Sequence, residues 1–126
     1  MGKIIKKFLN KYKKSYLNDT IEILTNQVKQ EFIVLDYRMD EGLRIRKDNI
    51  CPTITTRGRT SLTNTPIVYI NGKLRFLTEK EHFKLMGFSD DLFDKAKKVN
   101  SNAQLYKQAG NSIVVTVLMN IFKELL

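Results

Sequence analysis

The stretch Ile67-Val68-Tyr69-Ile70-Asn71-Gly72-Lys73-Leu74-Arg75-Phe76-Leu77-Thr78-Glu79-Lys80-Glu81 decides the fold class of this chain. Ile67 to Ile70 is a run of β-branched and aromatic residues, which suit a pleated, half-buried surface. Asn71-Gly72 follows, and both residues tolerate the positive φ angles of a two-residue type I′ turn. Leu74, Phe76 and Leu77 continue into the partner strand. Thr78 then stands where a helix N-cap belongs, with Glu81 three residues on, so that each side chain can satisfy a free backbone N–H of the other. Phe83, Leu85 and Met86 give this helix an apolar side, and Gly87 stops it. A hairpin that feeds a capped helix points to an α+β chain.

Upstream, Phe32 to Arg38 reads as a strand, and Asp40-Glu41-Gly42 turns the chain. Leu43 and Ile45 alternate with Arg44 and Arg46, which predicts one buried face and one basic face. Pro52 holds Cys51 extended, and Thr53-Ile54-Thr55-Thr56 reads as strand again. Residues 57–66 are polar and predict a loop. Downstream, Ser89 caps a short helical turn from Phe88 to Phe93, with Asp90 and Asp91 where the helix dipole favours acids. Residues 95–104 predict a loop. Ile113, Val114, Val117, Leu118, Ile121, Phe122 and Leu125 are spaced as one helical face, expected to be buried. At the other end, residues 3–17 and 19–28 predict amphipathic helices, the first rich in lysine. The organisation expected is therefore a basic N-terminal helical segment at 1–31, a small antiparallel β region with long loops at 32–77, and C-terminal helices at 78–126.

The 126 residues suffice for a modest core. No run approaches the roughly 18 apolar residues of a membrane span, and lysines interrupt the start where a secretory signal needs a continuous apolar core, so the expected location is the cytoplasm. One Cys and one His exclude an internal disulfide and a cysteine-rich metal site. The net charge of +9 is clustered: residues 1–14 hold six lysines and no acid, and residues 44–60 hold Arg44, Arg46, Lys47, Arg57 and Arg59 against Asp48. Such clusters attract phosphate backbones, although a solvated basic face has the same composition.

Two constellations have chemical content. The arginines of 44–60 are interleaved with Thr53, Thr55, Thr56 and Thr60, a mixture able to engage phosphates and base edges. Gly110-Asn111-Ser112 precedes an apolar helix, where free N–H groups and a hydroxyl can hold a carboxylate or phosphate, or simply cap the helix. His82 has no evident partner for general-base work and reads as an exposed or half-buried histidine. Cys51 lies in a β-rich stretch and reads as a small structural thiol. There is no Walker pattern, nor a strand–GxGxxG–helix unit.

Two runs carry a resemblance. Leu77-Thr78-Glu79-Lys80-Glu81 with Lys84-Leu85-Met86-Gly87-Phe88 resembles the penultimate motif of DNA (cytosine-5) methyltransferases, LTPREC…RLMGF. Gln104-Leu105-Tyr106-Lys107-Gln108-Ala109-Gly110-Asn111-Ser112-Ile113-Val114-Val115 resembles their last motif, YKQxGNSVVV. Leu43-Arg44-Ile45-Arg46 with Cys51-Pro52-Thr53-Ile54-Thr55 is similar to the end of their target-recognition domain. The resemblance extends over residues 32–126. It implies a partial methyltransferase fold without the main Rossmann-like sheet. It implies that Thr53 and Ile54 lie against the DNA backbone, with Arg57 and Arg59 in the recognition loop that follows; Arg44, Arg46, Lys47 and Thr55 join them as expected DNA contacts from the basic constellation above. It also implies that Gly110, Asn111, Ser112, Ile113 and Val114 close an S-adenosylmethionine pocket, usable only when a catalytic subunit completes it.

The departures are specific. Glu79-Lys80 replaces Pro–Arg, Lys84 replaces Arg, Phe76 stands where a basic residue is usual, and loop 57–65 has one glycine. Lys cannot reproduce the bidentate fork of Arg. The family's Pro–Cys nucleophile loop and Glu–Asn–Val segment are not in the sequence, and Cys51-Pro52 has the reverse order. No catalytic residue is therefore assigned. The expected function is a small subunit or C-terminal fragment of a split cytosine-5 methyltransferase, inactive alone, with DNA and a catalytic subunit as partners and no membrane. The alternative is a stand-alone, non-catalytic derivative that binds DNA, or binds and inhibits a protein, with a homodimer as its candidate assembly. A third reading is a gene remnant that folds without function.

Overall fold

A computed structural model describes residues 32–58, 61, 63–70 and 73–126. The helices expected within 1–31, Arg59 and the Asn71-Gly72 turn lie outside the described residues. The chain is α+β: among the described residues, four antiparallel strands are followed by four helices. Strands β1 (Phe32–Arg38), β2 (Gly42–Arg46), β3 (Ile67–Ile70) and β4 (Lys73–Phe76) form one sheet in the order β2-β1-β3-β4. Ile70 pairs with Lys73 and Ile67 with Phe76, the register a two-residue connection imposes.

Alternation decides the sheet's core. Ile33, Leu35 and Tyr37 of β1 share a face with Leu43, Ile67, Tyr69 and Phe76, with Ile45 and Leu74 packed at its margin. The opposite face carries Asp36 directly across from Arg44. Sheet residues 32–53 and 61–76 form one compact unit, and residues 54–58 with 77–126 form another.

The helical unit contains α1 (Glu79–Leu85), α2 (Asp90–Val99), α3 (Asn102–Asn111) and α4 (Val115–Leu125). The capping box forms as expected: Thr78 Oγ1 accepts from Glu81 N at 3.3 Å, and Glu81 Oε2 accepts from Thr78 N at 2.7 Å. Such a cap stabilises a helix by about 1 kcal/mol. The far end closes with Gly87 N donating to Lys84 O and Phe88 N to Phe83 O, while the Phe83 and Phe88 rings meet at 5.4 Å. That is the paired-bond helix stop with its apolar clasp, and Gly87 (φ 85°) supplies the left-handed residue it requires. Phe83, Met86, Phe93, Leu105 and Ala109 make the core, with Ile54, Phe88, Ala96 and Val114 against it.

Four sequence expectations are corrected. Thr53–Thr56 is not a strand; its β-branched residues lie in extended loop, and Ile54 packs into the helical core. The short turn at Phe88–Phe93 is the start of a ten-residue helix, α2. Residues 95–104 are largely helical, with Ser101 capping α3 through Gln104 N at 3.3 Å. The apolar face of the last helix is not buried: α4 has no buried residue. Among the described residues no helix is long and apolar enough to cross a membrane.

Candidate functional site

The basic residues of 44–57 fall into two groups. In the sheet unit, the Arg44 guanidinium donates through Nε to Asp36 Oδ1 at 3.0 Å and through Nη1 to Glu41 Oε2 at 2.7 Å, while Nη2 meets Asp36 Oδ2. Three of its five N–H donors are engaged within the sheet unit, one on each nitrogen, which leaves Arg44 less free than its neighbours to meet an outside phosphate. Arg46 makes a longer contact, 3.4 Å to Asp48, and Lys47 is exposed in the adjoining turn. Thr53 is exposed at the end of this unit.

Ile54, Thr55 and Arg57 belong to the helical unit, where they run beside α3. Thr56 and Arg57 line a cleft of about 390 Å³ with Glu79, Asn102, Ala103, Tyr106 and Lys107. The cleft is of mixed charge, with Arg57 and Lys107 opposed by Glu79. Sequence reasoning missed Asn102 and Lys107 as site residues. The available signal was the Tyr106-Lys107 step at helical spacing from Gly110, hidden because residues up to 104 read as loop.

The Gly110-Asn111-Ser112 run sits differently from the expected N-terminal turn. Gly110 and Asn111 end α3, and Ser112 is its C-cap. Ser112 Oγ donates to Ala109 O at 2.7 Å, and Ser112 N donates to the same carbonyl at 3.2 Å. The following helix starts two residues later than expected, at Val115, with Val114 as an N-cap that offers no side-chain bond. Val115 N donates to Met86 O at 2.9 Å, which anchors the turn to the end of α1. Asn111 and Ile113 are exposed, and Ser112 and Val114 are half-buried.

His82 is buried, at 1 % exposure, which corrects the expected surface position. Nδ1–H donates to Thr78 O at 2.9 Å, and the ring meets Tyr106 edge-on at 4.8 Å. Burial lowers its pKa, against the pull of the Thr78 carbonyl, Glu79 and Glu81, so the ring is held neutral. Nε2 has no hydrogen-bond partner, so this is a packed helix residue rather than an oriented base. Burial pushes the Cys51 thiol up to about 11, and Sγ lies 3.3 Å from Pro52 O. That thiol is protonated at neutral pH, which favours the structural reading over a nucleophile. Asp90 pairs with Lys80 and Lys84, each at 3.3 Å, as a first-turn acid does.

Comparison with known proteins gives this geometry a family. Type II methyltransferase M2.ScrFI of Lactococcus lactis subsp. cremoris is 38% identical over 119 residues, covering 86% of this chain and 33% of that protein. Type II methyltransferase M.Bsp6I of Bacillus sp. (strain RFL6) is 38% identical over 107 residues, covering 82% of this chain and again 33% of the relative. The orphan methyltransferase M.Rho11sI of Bacillus phage rho11s is 54% identical over 59 residues, 46% of this chain and 12% of its own length. The chain thus spans about a third of the length of the first two relatives (33%). No solved structure matches it. The family profile described as C-5 cytosine-specific DNA methylase matches residues 2–126, and the chain belongs to that family.

Proposed function

We propose that this chain acts as the C-terminal part of a DNA (cytosine-5) methyltransferase, as a small subunit or fragment that works with a separate catalytic portion. The observation that carries the reading is the bare apolar side of α4. Val117 is 53 %, Ile121 48 %, Phe122 48 % and Leu125 73 % exposed on an eleven-residue helix with no buried residue. Contiguous apolar surface on a helix marks a contact face. The chain's relatives are about three times its length (33% of each matched), which supplies the natural occupant. In this reading the parallel nucleotide-binding sheet, the Pro–Cys nucleophile and the Glu–Asn–Val segment belong to the catalytic portion.

The chain's own contribution is twofold. Arg46, Lys47, Thr53, Ile54, Thr55, Arg57 and Arg59 meet DNA, and Arg44 braces its own sheet as well as adding charge. Asn111, Ser112, Ile113 and Val114 form one wall against S-adenosylmethionine, with Gly110 at the base of the turn. The exposed Asn111 amide and Ile113 side chain suit a ligand with a polar amino-acid end and an apolar flank. One wall does not make a pocket, so the isolated chain is inactive. The cofactor, when bound, supplies the methyl group. The chain's residues orient it and exclude water.

Purification of the tagged chain from its native host, with partners identified by mass, tests this. A co-purifying polypeptide with the Pro–Cys and Glu–Asn–Val segments, and methyl transfer to DNA by the complex alone, is the expected result. Recovery only as a monomer or homodimer, with no methyltransferase polypeptide, overturns it and favours the stand-alone binder.

A further inference from the structure

We propose that Gly110 and Tyr106 are positioning residues that clamp the backbone of residues 55–58 along one face of α3, and so set the placement of the loop that carries Thr55 and Arg57. The functional consequence rests on the reading above that this loop faces DNA.

Position 110 has no room for a side chain. A Cβ there would stand 2.5 Å from Thr55 C and from Thr56 N, and 2.7 Å from Thr55 O. These are backbone atoms and cannot rotate aside, so only glycine lets α3 and the loop approach this closely. Four residues earlier on the same face of the helix stands Tyr106. A Cβ at Gly58 would run into Cγ and Cβ of Tyr106, the root of the side chain rather than its flexible end. Gly58 also has φ +50°, in the left-handed region, so it is fitted twice over to lie under that ring. The ring itself is fixed. Its hydroxyl donates to Leu77 O at 2.9 Å, and the ring stands T-shaped against His82.

The loop is therefore held at three successive points. Ile54 packs into the helical core, the 55–56 peptide lies on Gly110, and Gly58 lies on Tyr106. Thr56 and Arg57 are displayed between the last two points, at the cleft that Lys107 also lines. The clamp gives a reason for the glycine at 110 that needs no ligand: the atoms closest to its missing side chain belong to the loop. It also hangs the loop and the Asn111–Val114 turn from the last turn of one helix, so the DNA-facing and cofactor-facing segments share a support.

Nitrogen-15 relaxation of the full chain tests the clamp without DNA, and duplex binding at fixed salt tests its consequence. The variants are Gly58→Ala and Gly110→Ala. Gly87→Ala serves as the control, a strained glycine replacement in the same unit that meets Val115 and Thr116 instead of the loop. In the wild type, amides of Thr55, Thr56 and Arg57 are expected at order parameters of about 0.85, as in rigid backbone, falling below about 0.6 in both loop variants and staying high in the control. Affinity for duplex DNA should fall about tenfold in the loop variants, a change of about 1.4 kcal/mol, with melting temperatures no lower than the control's. Loop amides that are already mobile in the wild type, or that remain rigid in Gly58→Ala, overturn the clamp. Gly58→Ala decides alone if Gly110→Ala fails to fold, because the loop can lift from the ring without unpacking α3. A wild-type chain that binds no DNA counts against the DNA-facing reading, and the relaxation data still judge the clamp.

Discussion

The Tyr106 hydroxyl donates to the Leu77 carbonyl at 2.9 Å, a buried bond between residues 29 positions apart. It ties the middle of α3 to the chain just before the α1 cap. Tyr106→Phe keeps the ring over Gly58 and beside His82 and deletes only the donor. The expected loss is about 1–2 kcal/mol, because the carbonyl forfeits a buried partner. Urea denaturation should show it as a lower midpoint at unchanged slope. An unmoved midpoint would mean that water replaces the hydroxyl at no cost.

His82 gives the fold an acid-sensitive side. Burial lowers its pKa from the ordinary 6.5 in the folded chain, where Nδ1–H is committed to Thr78 O. Glu79 and Glu81 favour the charged form but do not reverse the shift. As pH falls through about 6.5, the unfolded chain takes up a proton that the folded chain refuses. The His82 contribution is thus fully present above that pH and is lost below it, with a limiting slope of about 1.4 kcal/mol per pH unit. Unfolding free energies at pH 7.5, 6.5 and 5.5 should fall in the wild type and flatten in His82→Phe. Equal slopes in the two proteins would assign the acid sensitivity to other groups.

What was legible in the sequence is what short-range chemistry determines. Thr78 and Glu81 announce a helix start, and the Ile67–Phe76 alternation around Asn71-Gly72 announces paired strands; both stand in the structure. Thr53–Thr56 was misread because β-branched residues suit any extended backbone. Its partner is Gly110, 55 positions from Thr55, and no local pattern encodes that contact. Residues 95–104 were misread for the opposite reason. The last half of α2 is rich in lysine, so Ala96 and Val99 are outnumbered there although they continue the helical spacing of Leu92 and Phe93. The Ser89 and Ser101 caps were the better guide, since a capping serine needs no buried face to mark a helix start. In the site, the residue types of the Tyr106–Val114 run were plain, but their division between the end of α3 and a separate turn depends on Val115 N reaching Met86 O.

The two arginines of β2 look alike in sequence and differ in structure. Arg44 braces Asp36, a carboxylate at 4 % exposure, while the contact of Arg46 with Asp48 is solvent-exposed and 3.4 Å long. Arg44→Ala leaves that buried carboxylate without its fork and should cost about 2–3 kcal/mol, toward the low end for a buried pair because Arg44 keeps some solvent contact. Arg46→Ala should cost under about 1 kcal/mol. Thermal unfolding of the two variants gives the ranking. If Arg46→Ala proves the more damaging, the Asp36–Arg44 pair is not what holds that edge of the sheet.

The face of α4 separates assembly from stability. Ile121 and Phe122 are each 48 % exposed, so charging them removes little packing within the chain. Ile121→Glu and Phe122→Glu should each alter unfolding free energy by no more than about 0.5 kcal/mol, the range of ordinary surface changes. Any partner that seats the helix must instead bury the new carboxylate unpaired, at a cost of several kcal/mol. Co-purification from the host should therefore recover the partner with the wild type and lose it with either variant, while circular dichroism and melting temperature stay unchanged. A partner retained at full yield by both variants would place the assembly surface elsewhere on the chain. A large loss of stability would instead show that α4 is already packed against residues of its own chain, and the bare face would no longer argue for a missing catalytic portion.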